Sequence, residues 1–213
     1  MQPEVDIAFV GGGLAGLCGA LRLAREGWRV ALIERRHYPY HKMCGEYVSR
    51  EAEPYLLSLG LDLAALGAVA ISRLEVTSPG GRRLAAALPL GGLGISRYRL
   101  DAALAERCQA AGVQLLLGTR ATDIQFSDNH FSISLQGEAA GTLRAGLAIG
   151  SWGKRDGLDK RLERPFVVSR TGYVGVKYHV ALGAARHAPA TIALHAFRGG
   201  YCGISPIEGG ALC

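Results

Sequence analysis

Three glycines spaced Gly11-x-Gly13-x-x-Gly16 stand between an apolar, β-branched run, Val5–Val10, and a segment with helical spacing, Leu14–Glu26. Each glycine answers a geometric need of a strand-to-helix turn, which leaves few folds open. Gly11 permits the tight turn. Gly13 lets the backbone approach a pyrophosphate, and Gly16 lets the helix pack close to the strand. Leu14, Ala15 and Gly16 open the helix, where free N–H groups and the helix dipole favour negative charge. Leu17, Ala20, Leu21 and Ala24 line one helix face, and Gly27 stands where a left-handed C-cap is wanted. Arg29–Glu34 reads as a second strand, apolar from Val30 to Ile33, as a parallel strand covered on both faces should be. Strand, turn, helix and strand make a βαβ unit of about 30 residues. Glu34 ends the second strand, eighteen positions beyond Gly16. A carboxylate there accepts hydrogen bonds from both ribose hydroxyls of an adenosine and repels a 2′-phosphate, which argues against NADP at this turn.

The element order predicts an α/β fold: a Rossmann-like domain with a mixed or parallel sheet, plus an antiparallel substrate-domain sheet. Residues 1–165 are expected to form the first, with an inserted hairpin at about 71–95, and 166–213 the start of the second. Arg35–Ser49 reads as an ordered loop, and Glu51–Leu66 as a helix broken near Pro54 and Gly60. Ile71–Ser78 and Arg82–Leu88 pair around the turn Pro79–Gly81, and Gly91–Ser96 reads as loop or short strand. Tyr98–Ala111 is amphipathic, with Leu100, Ala103, Leu104 and Cys108 inward. Gln114–Leu117, Ala121–Ser127, His130–Gln136 and Leu147–Gly150 read as strands, with Asp128-Asn129 as a tight hairpin turn. Tyr173–Leu182, Thr191–Phe197 and Tyr201–Pro206 are strand-like as well.

Composition removes several function classes. With 49% hydrophobic and 20% charged residues among 213, the chain is not disordered. Its longest uncharged run, Ile7–Leu21, falls short of the ~20 residues of a spanning helix. The net charge of +6 is dispersed, with no basic run interleaved with aromatics, so nucleic acid is not an expected partner. A mildly basic surface suits an anionic partner such as a dinucleotide or, by peripheral contact, an acidic membrane face. The cysteines Cys18, Cys44, Cys108, Cys202 and Cys213 are odd in number and form no CxxC pair, and no secretory pattern precedes them. Free thiols in a reducing cytoplasm are therefore expected. No His/Cys/Asp/Glu group has metal-ligand spacing, so no metal is expected. His179 and His195 read as satisfied sheet histidines, and no hydrolase nucleophile motif is present.

Val10-Gly11-Gly12-Gly13-Leu14-Ala15-Gly16-Leu17, with the later Gly27–Arg35, resembles the N-terminus of flavoproteins with the p-hydroxybenzoate hydroxylase fold. Tyr38-Pro39-Tyr40-His41-Lys42-Met43-Cys44-Gly45-Glu46 is similar to the P-x-x-K-x-C-G-E stretch of the geranylgeranyl reductase-like branch, which includes flavin-dependent halogenases and is related to monooxygenases. Ile95-Ser96-Arg97-x-x-Leu100-Asp101-x-x-Leu104 resembles the R-x-x-[FL]-D-x-x-L helix start of that family. Gly199–Pro206 is similar to its G-G-Y-x-G-x-[SF]-P strand. The resemblance spans nearly the whole chain. It implies FAD, with Gly11, Gly13 and Gly16 at the pyrophosphate, Glu34 at the ribose and Arg35 beside the adenine. It implies Arg97 at the FAD phosphate region and the backbone of Ala121 against adenine. Cys44, Gly45 and Glu46 would line the flavin and substrate side, with Cys44 the candidate catalytic thiol. The implied activity is that of an FAD-dependent oxidoreductase on a small hydrophobic or aromatic substrate, with NAD(P)H as a candidate electron donor.

Two departures weigh on this reading. Trp152, in Gly150-Ser151-Trp152-Gly153, stands where the family carries the aspartate of a D-G motif, which argues against NAD(P)H docking; Asp156-Gly157 downstream is a chance match. The family's later G-D motif is not reached before Cys213, so the second sheet is expected to be cut short. Two other readings stay open: a truncated, non-catalytic dinucleotide-binding fragment, and an NAD-binding dehydrogenase. The hairpin section after the βαβ unit favours a flavoprotein over the latter. Substrate and oligomeric state are not legible in the residues, nor is the choice among reductase, monooxygenase and halogenase.

Overall fold

A computed structural model describes residues 4–154, 157–168, 172–181 and 187–213. In chain order the elements begin with β1 (Val5–Val10), α1 (Leu14–Arg25), β2 (Val30–Ile33), β3 (Tyr47–Ser49), α2 (Glu53–Ser58), β4 (Val69–Thr77) and β5 (Arg83–Gly94). There follow α3 (Arg97–Ala110), β6 (Gln114–Leu116), β7 (Thr119–Ser127), β8 (His130–Gly137), β9 (Gly141–Gly150) and α4 (Gly157–Arg161). The last are β10 (Val180–Ala181), β11 (Thr191–Phe197), β12 (Gly200–Ile204) and β13 (Ala211–Leu212). The chain divides into two compact units, Met1–Tyr40 with Asp101–Tyr173, and His41–Leu100 with Val174–Cys213.

The first unit is built on a six-stranded sheet in the order β6-β2-β1-β9-β8-β7. β1 lies parallel to both β2 and β9, and β7, β8 and β9 form an antiparallel meander. All four residues of β2 are buried, as a strand covered on both faces requires. Val5, Ala8, Val10, Ala31, Ile33, Ile133, Leu143 and Ala145 make one continuous core cluster. Leu17, Ala20 and Leu21 of α1 and Leu104 and Cys108 of α3 are buried, each large side chain contributing about 1.5–3 kcal/mol. The Cys108 thiol donates to the Leu17 carbonyl at 3.3 Å. α1 ends in a Schellman arrangement: Gly27, at φ 92°, donates to the Ala24 carbonyl at 3.0 Å, and Trp28 donates to that of Leu23 at 3.2 Å. Asp128 and Asn129 both take positive φ and join β7 to β8 as a primed turn.

The second unit carries a five-stranded sheet in the order β12-β11-β4-β5-β3, antiparallel except for the parallel pair β4–β11. A separate antiparallel pair joins β10 to β13.

Three expectations give way here. Arg82–Leu88 and Gly91–Ser96 belong mostly to one strand, β5, whose pairing with β4 continues across a register shift between Ile71 and Arg73. The shift falls at Leu88–Gly91, around Pro89, and pairing resumes with Gly92 opposite Ile71. Pro54 sits in the first turn of α2, where a missing N–H costs nothing, and does not break a helix. The helix is short; Leu59, Leu61 and Leu63 are buried from turns that imitate helical spacing. Of the expected strand Tyr173–Leu182, only Val180–Ala181 is paired, and Leu182 lies outside the described residues. Tyr173, Val174, Val176 and Tyr178 are exposed. Their β-propensity reflects fit to a half-buried pleated surface, and among the described residues no ladder partner meets them. Among the described residues, no helix is long and apolar enough to cross a membrane.

Candidate functional site

In the first unit, the turn after β1 is closed from two sides. Gly11 donates to the Ile33 carbonyl at 2.9 Å, and Ser151 donates its N–H to the Val10 carbonyl at 2.8 Å. The Ser151 hydroxyl donates to the Gly11 carbonyl at 2.7 Å, with the Val10 carbonyl 3.1 Å away. Gly11 has φ +110°, and a Cβ on it would lie 2.5 Å from the Ser151 carbonyl. A Cβ on Gly16 would lie 2.1 Å from the Gly11 carbonyl, so the helix start and the turn touch through backbone. Gly13 differs. It is the N-cap of α1 in extended conformation, and a Cβ there would meet only the Ser151 carbonyl, at 4.0 Å. No side chain caps α1, and its first turn carries no acidic residue. The amides of Leu14, Ala15 and Gly16 therefore open onto a space that suits an anion.

Glu34 follows β2 and is 6% exposed. Its Oε2 accepts the Gly12 N–H at 2.9 Å and its Oε1 the Arg36 N–H at 3.1 Å. Tyr40 adds a phenol hydrogen bond to the same carboxylate. The Tyr38 hydroxyl donates to the Gly12 carbonyl at 2.6 Å. Burial first, and then the charge of Glu34, push both phenols well above their ordinary range, so they stay neutral donors. Arg36 lies over the Tyr40 ring at 5.2 Å. Arg35 is exposed one residue beyond Glu34, and Ala121 is buried on β7 beside a register shift.

Trp152 points elsewhere: its indole N–H donates to buried Asp159 at 3.1 Å, and Arg164 lies over its ring. Through Asp159 it anchors α4. Asp156 lies outside the described residues.

In the second unit the loop Cys44-Gly45-Glu46 leads into β3. Glu46 takes φ 55° and is 1% exposed. Its Oε1 accepts the Arg97 N–H at 2.8 Å and the Lys177 ammonium, and its Oε2 faces His179 Nε2 at 2.7 Å. Burial opposes the charge on Glu46, but the Lys177 ammonium and the Arg97 amide outweigh it and hold the carboxyl below its usual range. The Cys44 sulfur accepts the Glu46 N–H at 3.4 Å, and the Cys213 thiol donates to the Cys44 carbonyl at 3.5 Å. Burial, and then the Glu46 charge, push the Cys213 thiol up to about 12. His41 stacks on Tyr98 and meets His179 edge-on, each at 4.8 Å between ring centroids.

The structure thus groups Gly11, Gly13, Leu14, Ala15, Gly16, Glu34 and Arg35 around one turn. It joins Arg97 to Glu46, next to Cys44 and Gly45. Sequence reading passed over Ser151, Tyr38, Tyr40 and Lys177. It also took His179 for a sheet histidine, whereas it lies before β10 and its partner is Glu46. His195 does sit in a strand, with Nδ1 3.0 Å from the Thr77 hydroxyl. Tyr38 and Tyr40 lie within the stretch Tyr38–Glu46, but Ser151 becomes readable only once β9 is known to pair with β1, Val10 opposite Gly150.

Among curated proteins, the menaquinone reductase of Mycobacterium tuberculosis is 25% identical over 194 residues, covering 84% of this chain and 46% of that protein. Among solved structures, p-nitrophenol 4-monooxygenase PnpA from Pseudomonas putida matches with TM-score 0.78 at 16% identity, over all of this chain and 57% of its own. A geranylgeranyl bacteriochlorophyll reductase-like protein from Thermoplasma acidophilum matches with TM-score 0.77 at 17% identity, over 98% of this chain and 55% of its own. Halogenase PltM, solved in complex with phloroglucinol and FAD, matches with TM-score 0.74 at 14% identity, over 98% and 50%. The chain spans about half the length of these proteins. The fold expected from the resemblance, a Rossmann-type FAD-binding fold, is the fold found. The family model described as lycopene cyclase protein matches residues 6–198, and the chain accordingly belongs to that family.

Proposed function

We propose that this chain holds FAD as part of a flavin-dependent oxidoreductase acting on a small hydrophobic or aromatic substrate. The uncapped start of α1 carries the reading, with open space beside Gly13 and a buried carboxylate, Glu34, at the next strand end. These residues fit the cofactor: helix amides for the pyrophosphate, Glu34 for the ribose hydroxyls, and Arg35 and the Ala121 backbone for adenine. In the second unit, Arg97 is assigned to the FAD phosphates and Cys44, Gly45 and Glu46 to the flavin and substrate side. Bound flavin supplies the redox chemistry; the chain supplies orientation and electrostatics. Ser151 holds the turn in shape, and the neutral Tyr38 and Tyr40 fix Gly12 and Glu34, so the ribose meets a carboxylate already aimed. The FAD seen in PltM and the reductase and monooxygenase names among the relatives support this reading. NAD(P)H is the candidate donor, and Trp152, engaged with Asp159, argues against its docking at that turn.

The purified chain is expected to bind FAD and show flavin absorbance. Glu34→Ala should weaken FAD binding about tenfold or more, the worth of a hydrogen bond to a charged group. Titration of the cofactor-stripped chain with FAD, followed by flavin fluorescence, measures this. Protein that ignores FAD but takes NAD would replace the reading with that of a nicotinamide-dependent dehydrogenase.

A further inference from the structure

We propose that Glu46, His179 and Cys213 form a binding site for a thiophilic divalent cation of the zinc type. A carboxylate oxygen, an imidazole nitrogen and a thiol sulfur from these residues lie within 4.8 Å of one another, all inside the second unit. Mixed oxygen, nitrogen and sulfur ligands suit zinc, which takes all three in a tetrahedral site.

The two oxygens of Glu46 are already divided in role. Oε1 is held by the Lys177 ammonium and the Arg97 amide, while Oε2 faces His179 Nε2 at 2.7 Å. A cation joining Oε2, Nε2 and the Cys213 sulfur leaves Lys177 on Oε1. There the ammonium acts as the outer partner that orients a ligating carboxylate. His41, edge-on to His179, fixes the plane of the imidazole. A cavity of about 420 Å³ lined by His41, Lys42, Met43, Lys177, Tyr178 and His179 offers an approach. Three protein ligands leave the fourth tetrahedral position to water.

On binding, three bonds form from the cation to sulfur, nitrogen and oxygen, and the Cys213 S–H bond breaks. Its proton passes to solvent, as does one on His179 Nε2 where that nitrogen carries it. No electron moves. Thiolate and carboxylate offset the two charges of the cation, and Lys177, 9% exposed, leaves the occupied site with one net positive charge.

The test uses Co²⁺ as a spectroscopic stand-in, titrated into the chain under reducing, metal-free conditions. A thiolate-to-cobalt charge-transfer band and tetrahedral d–d bands are expected, saturating at one equivalent and bleached by Zn²⁺. About one proton or more should be released per cation. Cys213→Ser should abolish the charge-transfer band. His179→Gln should weaken binding roughly tenfold or more, and Cys202→Ser, at an exposed thiol, should change neither. Each variant is checked by circular dichroism; should Cys213→Ser misfold, the His179→Gln affinity decides. Absence of a band at excess Co²⁺, a band that survives Cys213→Ser, or unchanged affinity in His179→Gln overturns the proposal.

Discussion

Alanine at Gly16 is expected to lower the melting temperature of the chain by on the order of 10 °C, while alanine at Gly13 leaves it nearly unchanged and instead weakens FAD binding. The two residues share a turn but face different things. A Cβ on Gly16 would sit 2.1 Å from the Gly11 carbonyl and 2.7 Å from the Ser151 hydroxyl. Neither the carbonyl nor the strand behind it can retreat without parting α1 from β1, so the cost is about 3 kcal/mol, the upper end for overpacking. A Cβ on Gly13 has 4.0 Å of clearance and a φ of −81°, which alanine adopts freely. Its methyl would fill the space that the pyrophosphate needs, and FAD affinity should fall at least about tenfold. Thermal unfolding and FAD titration of the two variants separate these effects. A Gly13→Ala chain that binds FAD like the parent would remove the turn from the cofactor site.

Loss of the Glu46 carboxylate should cost more than any surface ion pair in the molecule. Glu46→Ala leaves Lys177, whose side chain is 9% exposed, without its anion, and frees His179 and the Arg97 amide as well. Removing one partner of such a pair costs about 3–5 kcal/mol, and Lys177→Met in the same chain should recover part of it, because no uncompensated charge then remains. The folded carboxyl titrates below its usual range, so its stabilisation is complete above the ordinary glutamate value of about 4.3 and disappears as pH falls through the folded value. Amide protection factors in β3, β5 and β11, taken relative to intrinsic exchange, should therefore fall in the parent as pH drops below the ordinary glutamate range, with a shallower acid limb in Glu46→Ala.

What could be read in advance followed the range of each signal. Strand, glycine turn, helix and strand were legible because every cue, from Val5 to Glu34 with Gly27 as the stop, acts within about one βαβ length. The Asp128-Asn129 turn is equally local. The partners of Glu46 are not: Lys177 and His179 lie 131 and 133 positions away, and no spacing rule connects them. Ser151 is 140 positions from the turn it latches. Tyr173–Tyr178 misled for the opposite reason. Its composition satisfies the local criterion for a strand, but a strand exists only where a second one pairs with it.

Parallel pairing of β1 with β9, and of β4 with β11, has a consequence for the order in which a nascent chain can complete itself. Each unit is assembled from two stretches separated by the other's residues, so synthesis at about 5–20 residues per second leaves both unfinished for much of translation. β1 emerges early and lacks its central neighbour until β9 is made; β4 waits 118 positions for the strand that brings His195 beside Thr77. The glycine turn acquires its serine latch only once β9 is made. Flavin supplied during expression therefore acts on finished first units, pulling them to the folded state by mass action, and cannot template the partial chains that precede them.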